Sequence, residues 1–274
     1  MRKTIVFLTA ILCLAITTSC NKEKTATPTL DDTTTSQDLT TLQDFVLDTE
    51  NEIDNQLENR SPEDDCPVVT ITPADGSFPR TVTIDYGAEG CMGPNGRVRK
   101  GQIIVTQTDA WQVEGATRTA TFNDFFIDDV QLEGTKVWTN QGIGNSGYPA
   151  FSREVQGLTL SFPNGQTASW ESYHTVVIIY GSDTPELVDD IYQITGFSSG
   201  TNRNGVDFST TISMSDPLTK SRTCRWIESG TLQLSFGNRT RTIDYGEVGD
   251  CDRIATVTFA NGQTREVLIR AWWR

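Results

Sequence analysis

The chain has 274 residues, and 22 Lys and Arg against 36 Asp and Glu give it a formal net charge of −14 at pH 7. This length allows one or two domains with a substantial apolar core. The acidic balance argues against nucleic acid as a partner, because phosphate binding needs clustered Lys and Arg. The single histidine argues equally against histidine-based metal sites and acid–base relays.

Residues 1–19 have the pattern of a signal peptide. Arg2 and Lys3 form a short positive start, and an almost unbroken apolar run of twelve residues follows from Ile5 to Ile16. A membrane-spanning helix needs about 20 apolar residues, so this run predicts an export signal rather than a membrane span.

Cys20 follows the signal, and the junction resembles the lipobox of bacterial lipoproteins, although Thr17 stands where that motif prefers leucine. The resemblance implies that Cys20 is diacylated, becomes the new N-terminus and is acylated again with a fatty acid such as palmitate. Two or three acyl chains hold a protein to a lipid bilayer without a spanning segment. The alternative is an ordinary signal peptide in which Cys20 stays unmodified.

The segment Asn21-Lys22-Glu23-Lys24 resembles the surface-export signals of lipoproteins in Bacteroidota-type bacteria. Together with the lipobox, it implies a protein anchored to the outer membrane of a Gram-negative cell. Exposure at the cell surface is the hypothesis, and the periplasmic face is the alternative.

Residues 20–65 predict an acidic, Thr-rich tether. Residues 21–65 hold three Lys and Arg against thirteen Asp and Glu, and residues 25–41 carry too few apolar side chains to fold alone. Apolar residues then fall near helical spacing and predict a candidate helix over residues 41–59; they are Leu39, Leu42, Val46, Ile53 and Leu57. We interpret this helix as packing against the main body, with a partner-binding helix as the alternative.

From residue 66 to residue 274 the sequence predicts an antiparallel all-β domain. Apolar and polar residues alternate in runs rich in Val, Ile, Thr and aromatic side chains, most clearly in Arg80 to Tyr86, Gln102 to Thr108, Gly157 to Phe162 and Trp170 to Tyr180. Dipeptides that favour tight hairpins separate the runs: Asn95-Gly96, Asn164-Gly165, Asn204-Gly205, Gly237-Asn238 and Asn261-Gly262. A sandwich, a barrel and a curled meander all fit this pattern. The loop near residues 181–190 is a candidate boundary between two subdomains.

One hairpin element occurs twice in this domain. Thr83-Ile84-Asp85-Tyr86-Gly87 returns as Thr242-Ile243-Asp244-Tyr245-Gly246, and a cysteine stands on each side of each copy. Residues that face each other across the two-residue turn Gly237-Asn238 have numbers that sum to 475, and so do Cys224 and Cys251. These two cysteines should therefore lie opposite each other.

The sequence predicts the disulfides Cys66–Cys91 and Cys224–Cys251, which the oxidising space outside the cytoplasm permits. If Cys66 and Cys91 lie opposite each other, the hairpin between them is centred at Phe78-Pro79. This point lies at the edge of the predicted turn, so this hairpin needs a longer loop. The alternative, a four-thiolate zinc site, is disfavoured because the chain has no Cys-x-x-Cys spacing.

Four carboxylates within nine residues are weak candidates for a calcium site: Asp244, Glu247, Asp250 and Asp252. Their spacing is not that of an EF-hand loop. A structural turn, in which Asp244 accepts hydrogen bonds from backbone amides, is the preferred interpretation. No metal or other cofactor is predicted.

Two patterns that are typical of hydrolases are interpreted as structural. Gly196 to Gly200 matches G-x-S-x-G, but turn residues follow it instead of the helix that a nucleophile elbow requires. His174 lies in an alternating run and is interpreted as a packed strand residue rather than a general base. No catalytic residue is predicted.

The tryptophans are interpreted mainly as core or sheet-face residues, with stacking against sugar rings as the alternative. Trp272 and Trp273 are consecutive, so one of them should point outward from a final strand. These two residues are the candidate ligand surface.

Residues 66–274 resemble a family of uncharacterised Bacteroidota-type lipoproteins. The resemblance lies in the repeated TIDYG–Cys elements and in the segments Arg97 to Ile103, Ile194 to Gly205 and Cys224 to Ile227. The family often continues its second element as Gly-Asp-Gly-Thr-Cys-Asp, and this chain departs from that pattern at Gly246 to Asp252. The resemblance implies an envelope location and β structure, and it implies no activity.

These inferences favour a non-enzymatic binding or assembly module of the cell envelope, whose partner is an unidentified envelope protein or a glycan. A surface glycan-binding module is the first alternative. A carboxylate-based hydrolase is the second, and it would require two facing carboxylates in a deep cleft.

Overall fold

The computed structural model describes residues 33–58, 66–93, 96–184 and 187–269. Over these ranges the chain forms one long helix, α1 (Thr34–Glu58), a short 3-10 helix (Leu187–Asp189) and fifteen strands. The strands are β1 (Val68–Thr72), β2 (Arg80–Asp85), β3 (Cys91–Met92), β4 (Val98–Gln107), β5 (Thr117–Ile127), β6 (Val130–Ile143), β7 (Pro149–Ser161), β8 (Thr167–Tyr180), β9 (Ile191–Thr201), β10 (Asp207–Ile212), β11 (Leu218–Ser221), β12 (Thr231–Phe236), β13 (Arg239–Asp244), β14 (Ile254–Phe259) and β15 (Thr264–Leu268). The signal peptide, Cys20, Trp272 and Trp273 lie outside the described residues.

The strands form one antiparallel sheet, in the order β1-β2-β4-β5-β6-β7-β8-β9-β10-β12-β13-β14-β15. β3 pairs with β4 and β11 pairs with β9 beside this path, and the sheet does not close into a barrel. The predicted all-β class is confirmed, and the observed architecture is an open, hairpin-rich meander. On either side of the predicted boundary loop, β8 and β9 pair directly, so the sheet is continuous there.

The strands follow from the alternating pattern because one face of the sheet is buried. In β8 the side chains of Trp170, Ser172, His174 and Val176 are buried, while those of the intervening residues are half-buried or exposed. Asn164-Gly165 closes the hairpin between β7 and β8, where Gly165 has a φ of 82° that other residues adopt only with strain.

α1 begins earlier than the predicted helix over residues 41–59. It starts at Thr34, and the part of the Thr-rich segment from Thr34 to Thr41 is buried in its first turns. Thr41 Oγ1 donates a hydrogen bond to the Gln37 carbonyl at 2.7 Å, and Asn202 of the β9–β10 turn donates one to Thr35 Oγ1 at 2.8 Å. The polar side chains of this segment are therefore accommodated by partners within the helix and on the sheet.

The curved sheet wraps around α1. Leu39, Leu42 and Phe45 of the helix are fully buried in one apolar core with residues of nearly every strand. The hydrogen-bond partners of the helix run from Tyr86, just after β2, to Tyr245, just after β13. The prediction that this helix packs against the main body is confirmed.

Both predicted disulfides are present, with Cα atoms 6.0 Å apart for Cys66–Cys91 and 5.6 Å apart for Cys224–Cys251. β12 and β13 pair with the predicted register, which places Leu232 opposite Ile243. In the first copy Val68 pairs with Asp85, so the β1–β2 hairpin is centred between Gly76 and Ser77 rather than at Phe78-Pro79. Cys91 still reaches Cys66, because the chain turns back after β2 through glycines with positive φ.

Candidate functional site

The repeated TIDYG element attaches the sheet to α1. Tyr86 and Tyr245 are both buried, and their hydroxyls donate to Glu52 Oε1 at 2.9 Å and to Gln43 Oε1 respectively. Asp85 accepts a hydrogen bond from the Gly87 amide at 2.8 Å, and Asp244 accepts one from the Gly246 amide at 2.9 Å. The repeat is therefore a structural device: the aspartate fixes the turn and the tyrosine anchors the helix.

Arginines of the inner sheet face pair with the acidic side chains of α1. Arg97 contacts Asp44 and lies 2.9 Å from Asp48 Oδ1, and Arg99 donates to Asp48 Oδ2 at 2.7 Å. Arg225 lies 3.6 Å from Asp44. Burial opposes ionisation of Asp48, but the three arginines outweigh it and hold the pKa of its carboxyl below the usual value.

Glu50 forms the centre of a second buried group. Its carboxylate accepts from Arg153 Nη1 at 3.0 Å and from the indole of Trp138 at 2.8 Å. Lys136 is fully buried and donates to the Val46 carbonyl at 2.6 Å and to Thr49 Oγ1 at 2.8 Å. Burial lowers the pKa of Lys136 to about 7, against the opposing influence of Glu50.

The two ends of α1 are held by further ion pairs. Near the C-terminal end, Asp54 accepts from Arg118 at 2.9 Å and from Arg222 at 2.7 Å. Near the N-terminal end, Asp38 lies 2.8 Å from Arg203. Burial raises the pKa of Asp38 to about 6, although the hydrogen bonds and charge of Arg203 lower it.

A cavity of about 100 Å³ lies beside the C-terminal half of α1. Its walls combine aromatic and aliphatic side chains with arginines that hold the helix. Trp111 stacks on Phe151 with ring centroids 5.0 Å apart, and the Arg118 guanidinium lies 4.2 Å from the Trp111 ring centroid. Aromatic walls and paired charges therefore meet in this one pocket.

A row of side chains crosses the outer face of the sheet. Tyr173 pairs across strands with Phe197, and their exposed rings stack with centroids 5.8 Å apart. The same register places Glu154 beside Tyr173, and Thr211 and then Gln233 beyond Phe197. Five strands about 4.8 Å apart make this outer-face row roughly 19 Å long. A shallow groove of about 230 Å³ runs along its aromatic end, and Gln156 and Glu171 also line it.

The residues with hydrolase-like patterns are buried in structural contacts. Ser198 lies within β9, and its hydroxyl bonds Thr210 Oγ1 at 2.6 Å. His174 Nδ1 lies 3.0 Å from Arg153 Nη2 and the ring packs at a tilt beside Trp170. Burial, reinforced by Arg153, lowers the pKa of His174 well below 6.5, so the imidazole is neutral. His174 is a packed strand residue, as predicted.

The four candidate calcium ligands are used in turns or left at the surface. Asp244 and Asp252 accept hydrogen bonds from the amides of Gly246 and Ile254 at 2.9 and 2.8 Å. Within the described ranges, the one group of three His, Cys, Asp or Glu side chains close enough for a metal is Cys224, Glu228 and Cys251. Its two sulfurs form a disulfide, so they do not supply thiolate ligands.

Sequence reasoning missed the inward-facing arginines. Arg97 and Arg99 are two positions apart, so they lie on the same face of a strand. Charged side chains are rarely buried, and this face would therefore be interpreted as facing solvent. One signal was present: Asp44, Asp48 and Glu52 recur every four residues, on one face of α1. This row of carboxylates on one helix face predicts that the helix packs against basic side chains of the sheet.

Within the described residues, no helix combines the length and apolar character that crossing a bilayer requires. No protein-family model, curated protein or solved structure matches this chain.

Proposed function

We propose that the protein is a non-enzymatic binding module of the cell envelope, and that the outer-face row is its binding surface. The observation that carries the proposal is the exposed, stacked pair Tyr173 and Phe197. Two exposed aromatic rings stacked on an open sheet face form an apolar surface that a ligand can cover, and their burial would stabilise binding.

The neighbours of this pair favour a glycan as the ligand. Aromatic rings stack against the C–H face of a sugar, and carboxylates and amides bind its hydroxyls. Glu154, Glu171 and Gln156 lie beside the rings, and Thr211 and Gln233 continue the row on the next two strands. A linear row of this length suits several consecutive sugar units of an extended chain.

A glycan array tests the proposal with a soluble chain that begins at residue 21 and therefore keeps α1. We expect selective binding to a class of glycans, and a loss of at least tenfold in affinity for Tyr173→Ala and Phe197→Ala. Tyr180→Ala changes a more exposed tyrosine of β8 that lies outside the groove; it is the control and should bind normally. The assembly function would be favoured instead by two results together: the array gives no glycan signal, and cross-linking on intact cells captures a protein through the same row.

The location is part of the same proposal. Acyl chains on Cys20 would hold the module to the outer membrane, and the two disulfides fit an oxidising space outside the cytoplasm. Mass spectrometry of the N-terminal peptide from native membranes should find Cys20 acylated at its new N-terminus. Recovery of an unmodified Cys20 from a soluble fraction would remove the anchor, and protease shaving of intact cells would distinguish the surface from the periplasmic face.

A further inference from the structure

The cavity beside α1 has the size of a single ring. Its volume of about 100 Å³ is somewhat below that of engineered protein cavities, near 150 Å³, that bind benzene. Trp111, Trp138 and Phe151 form one side of its wall, and Val176 and Ile178 lie among the aliphatic residues that line it. This part of the lining is apolar and can pack against a flat ring.

The charges around the cavity are unequal. Four cationic side chains and three carboxylates line it: Arg118, Arg153, Lys220 and Arg222, and Glu50, Asp54 and Asp190. Cationic groups therefore predominate among the charged side chains of the lining, and guanidinium groups bind carboxylates well.

The hydrogen bonds show the same imbalance. The carboxylates are engaged: Asp54 accepts from two arginines, Glu50 accepts from an arginine and an indole, and Asp190 accepts from the Tyr192 hydroxyl at 3.0 Å. In contrast, Arg222 Nη2 and Arg153 Nε are buried and have no hydrogen-bond partner among the described residues. Both arginines line the cavity, and buried donors are normally satisfied, so the cavity is where we expect an acceptor.

The residues that line the cavity differ in exposure. Asn51, Trp111 and Leu187 are half-buried, whereas Phe151 and Trp138 are buried. The half-buried residues mark the side from which a small ligand would enter.

We propose that this cavity binds a small aromatic monocarboxylate, with its ring against Trp111, Trp138 and Phe151 and its carboxylate accepting from Arg222. A guanidinium is well suited to a carboxylate because its planar donors match the two oxygens. The site is separate from the outer-face row, because it lies on the helix side of the sheet.

Benzoate is the probe, and isothermal titration of the soluble chain from residue 21 is the measurement. We expect one molecule bound per chain, with a Kd below about 1 mM, which is ordinary for so small a ligand. Quenching of tryptophan fluorescence should accompany binding, because Trp111 and Trp138 line the cavity. Benzyl alcohol and inorganic phosphate, which each lack half of the proposed ligand, should bind at least tenfold more weakly.

Two variants locate the binding. Arg222→Met removes the unpaired donor while Arg118 still holds Asp54, and it should weaken benzoate at least tenfold. Arg225→Met removes another arginine that faces α1 but does not line the cavity, so benzoate should bind it normally. If Arg222→Met does not fold, Ile178→Phe fills the cavity from its half-buried wall and should abolish binding.

Three results would overturn the proposal: no heat and no quenching at millimolar benzoate, equal binding of benzyl alcohol or phosphate, or benzoate affinity unchanged in the cavity variants.

Discussion

At the scale of single residues, the fold depends on charges that are buried as pairs. Asp48 lies between Arg97 and Arg99, and none of the three side chains is more than 3% exposed. Replacing a buried ion pair by apolar residues costs little, but removing one partner leaves the other charge uncompensated in a medium of low dielectric constant. Asp48 is therefore among the carboxylates of α1 whose loss the fold should tolerate least.

Asp48→Asn keeps the shape of the side chain and removes its charge. We expect it to lower the free energy of unfolding by about 3–5 kcal/mol, measured by urea denaturation. Asp129→Asn is the control, because Asp129 is an exposed residue in a turn, 3.5 Å from Lys100. That change should cost less than about 1 kcal/mol. Equal effects of the two substitutions would contradict the importance of the buried pairs.

Lys136 predicts an unusual dependence of stability on pH. Its pKa falls from 10.5 to about 7 on folding, because burial outweighs the attraction of Glu50, Asp54 and Asp48, and Arg153 lowers it further. Between these values the unfolded chain holds a proton that the folded protein has released, so the free energy of unfolding rises with pH. The rise is at most about 1.4 kcal/mol per pH unit for one group.

Urea denaturation at pH 7, 8 and 9 measures this effect. Lys220, whose pKa burial lowers to about 8, acts in the same direction. Lys136→Met should flatten the dependence, leaving the smaller contribution of Lys220. A wild-type protein whose stability falls over this range would contradict the lowered pKa of Lys136 in the folded state.

At the scale of elements, α1 is the component that the sheet cannot replace. This helix contacts the inner arginines, the two tyrosines of the repeat and the apolar core of the sheet. A sheet without the helix would expose its apolar inner face and leave several guanidinium groups buried or crowded without counter-charges.

A chain that begins at residue 66 should therefore fail to fold cooperatively. We expect no sharp thermal transition and strong binding of a hydrophobic dye, where the chain from residue 21 melts in one step. Adding α1 as a separate peptide should restore part of the transition. A stable, cooperatively folded fragment from residue 66 would show that the helix is dispensable.

The strands could be predicted from sequence because alternation and Asn-Gly turns act locally. The β12–β13 register also followed from a short turn, whereas the β1–β2 register did not, since the loop there is longer and two glycines redirect the chain afterwards. The start of α1 could not be predicted, because Thr34 to Thr41 is polar and its burial depends on partners such as Asn202, distant in sequence.

The candidate sites required the register of the sheet. Tyr173 and Phe197 are 24 positions apart in sequence, and only the pairing of β8 with β9 stacks them. The cavity could be predicted only if the charged side chains that face inward were known. Composition predicted neither surface, and Trp272 and Trp273, which the sequence favoured, lie outside the described residues.

At the scale of the whole molecule, two disulfides reinforce the sheet near its two ends. Cys66–Cys91 links the start of β1 to β3, and Cys224–Cys251 joins the segments that flank the β12–β13 hairpin. Each closes a loop of about the same length, with sequence separations of 25 and 27 residues. A crosslink over such a loop restricts the unfolded chain and stabilises the folded one.

Replacing Cys224 and Cys251 together by serine should lower the free energy of unfolding by about 3 kcal/mol in the oxidised protein. The same double substitution measured in reducing buffer, where the wild type also lacks its crosslinks, should change stability much less. An effect of equal size in both buffers would assign the loss to side-chain packing instead of the crosslink.

The central claim is that a curved sheet encloses an acidic helix and holds it through buried arginines, which leaves the opposite sheet face free to bind. Hydrogen–deuterium exchange with mass spectrometry tests this most directly on the soluble chain from residue 21. Peptides covering Thr34 to Glu58 should exchange as slowly as those from β6 to β8, and Asp48→Asn should accelerate them. Exchange of these helix peptides within seconds in the wild-type protein would contradict the enclosed helix, and with it the account of how the sheet is held.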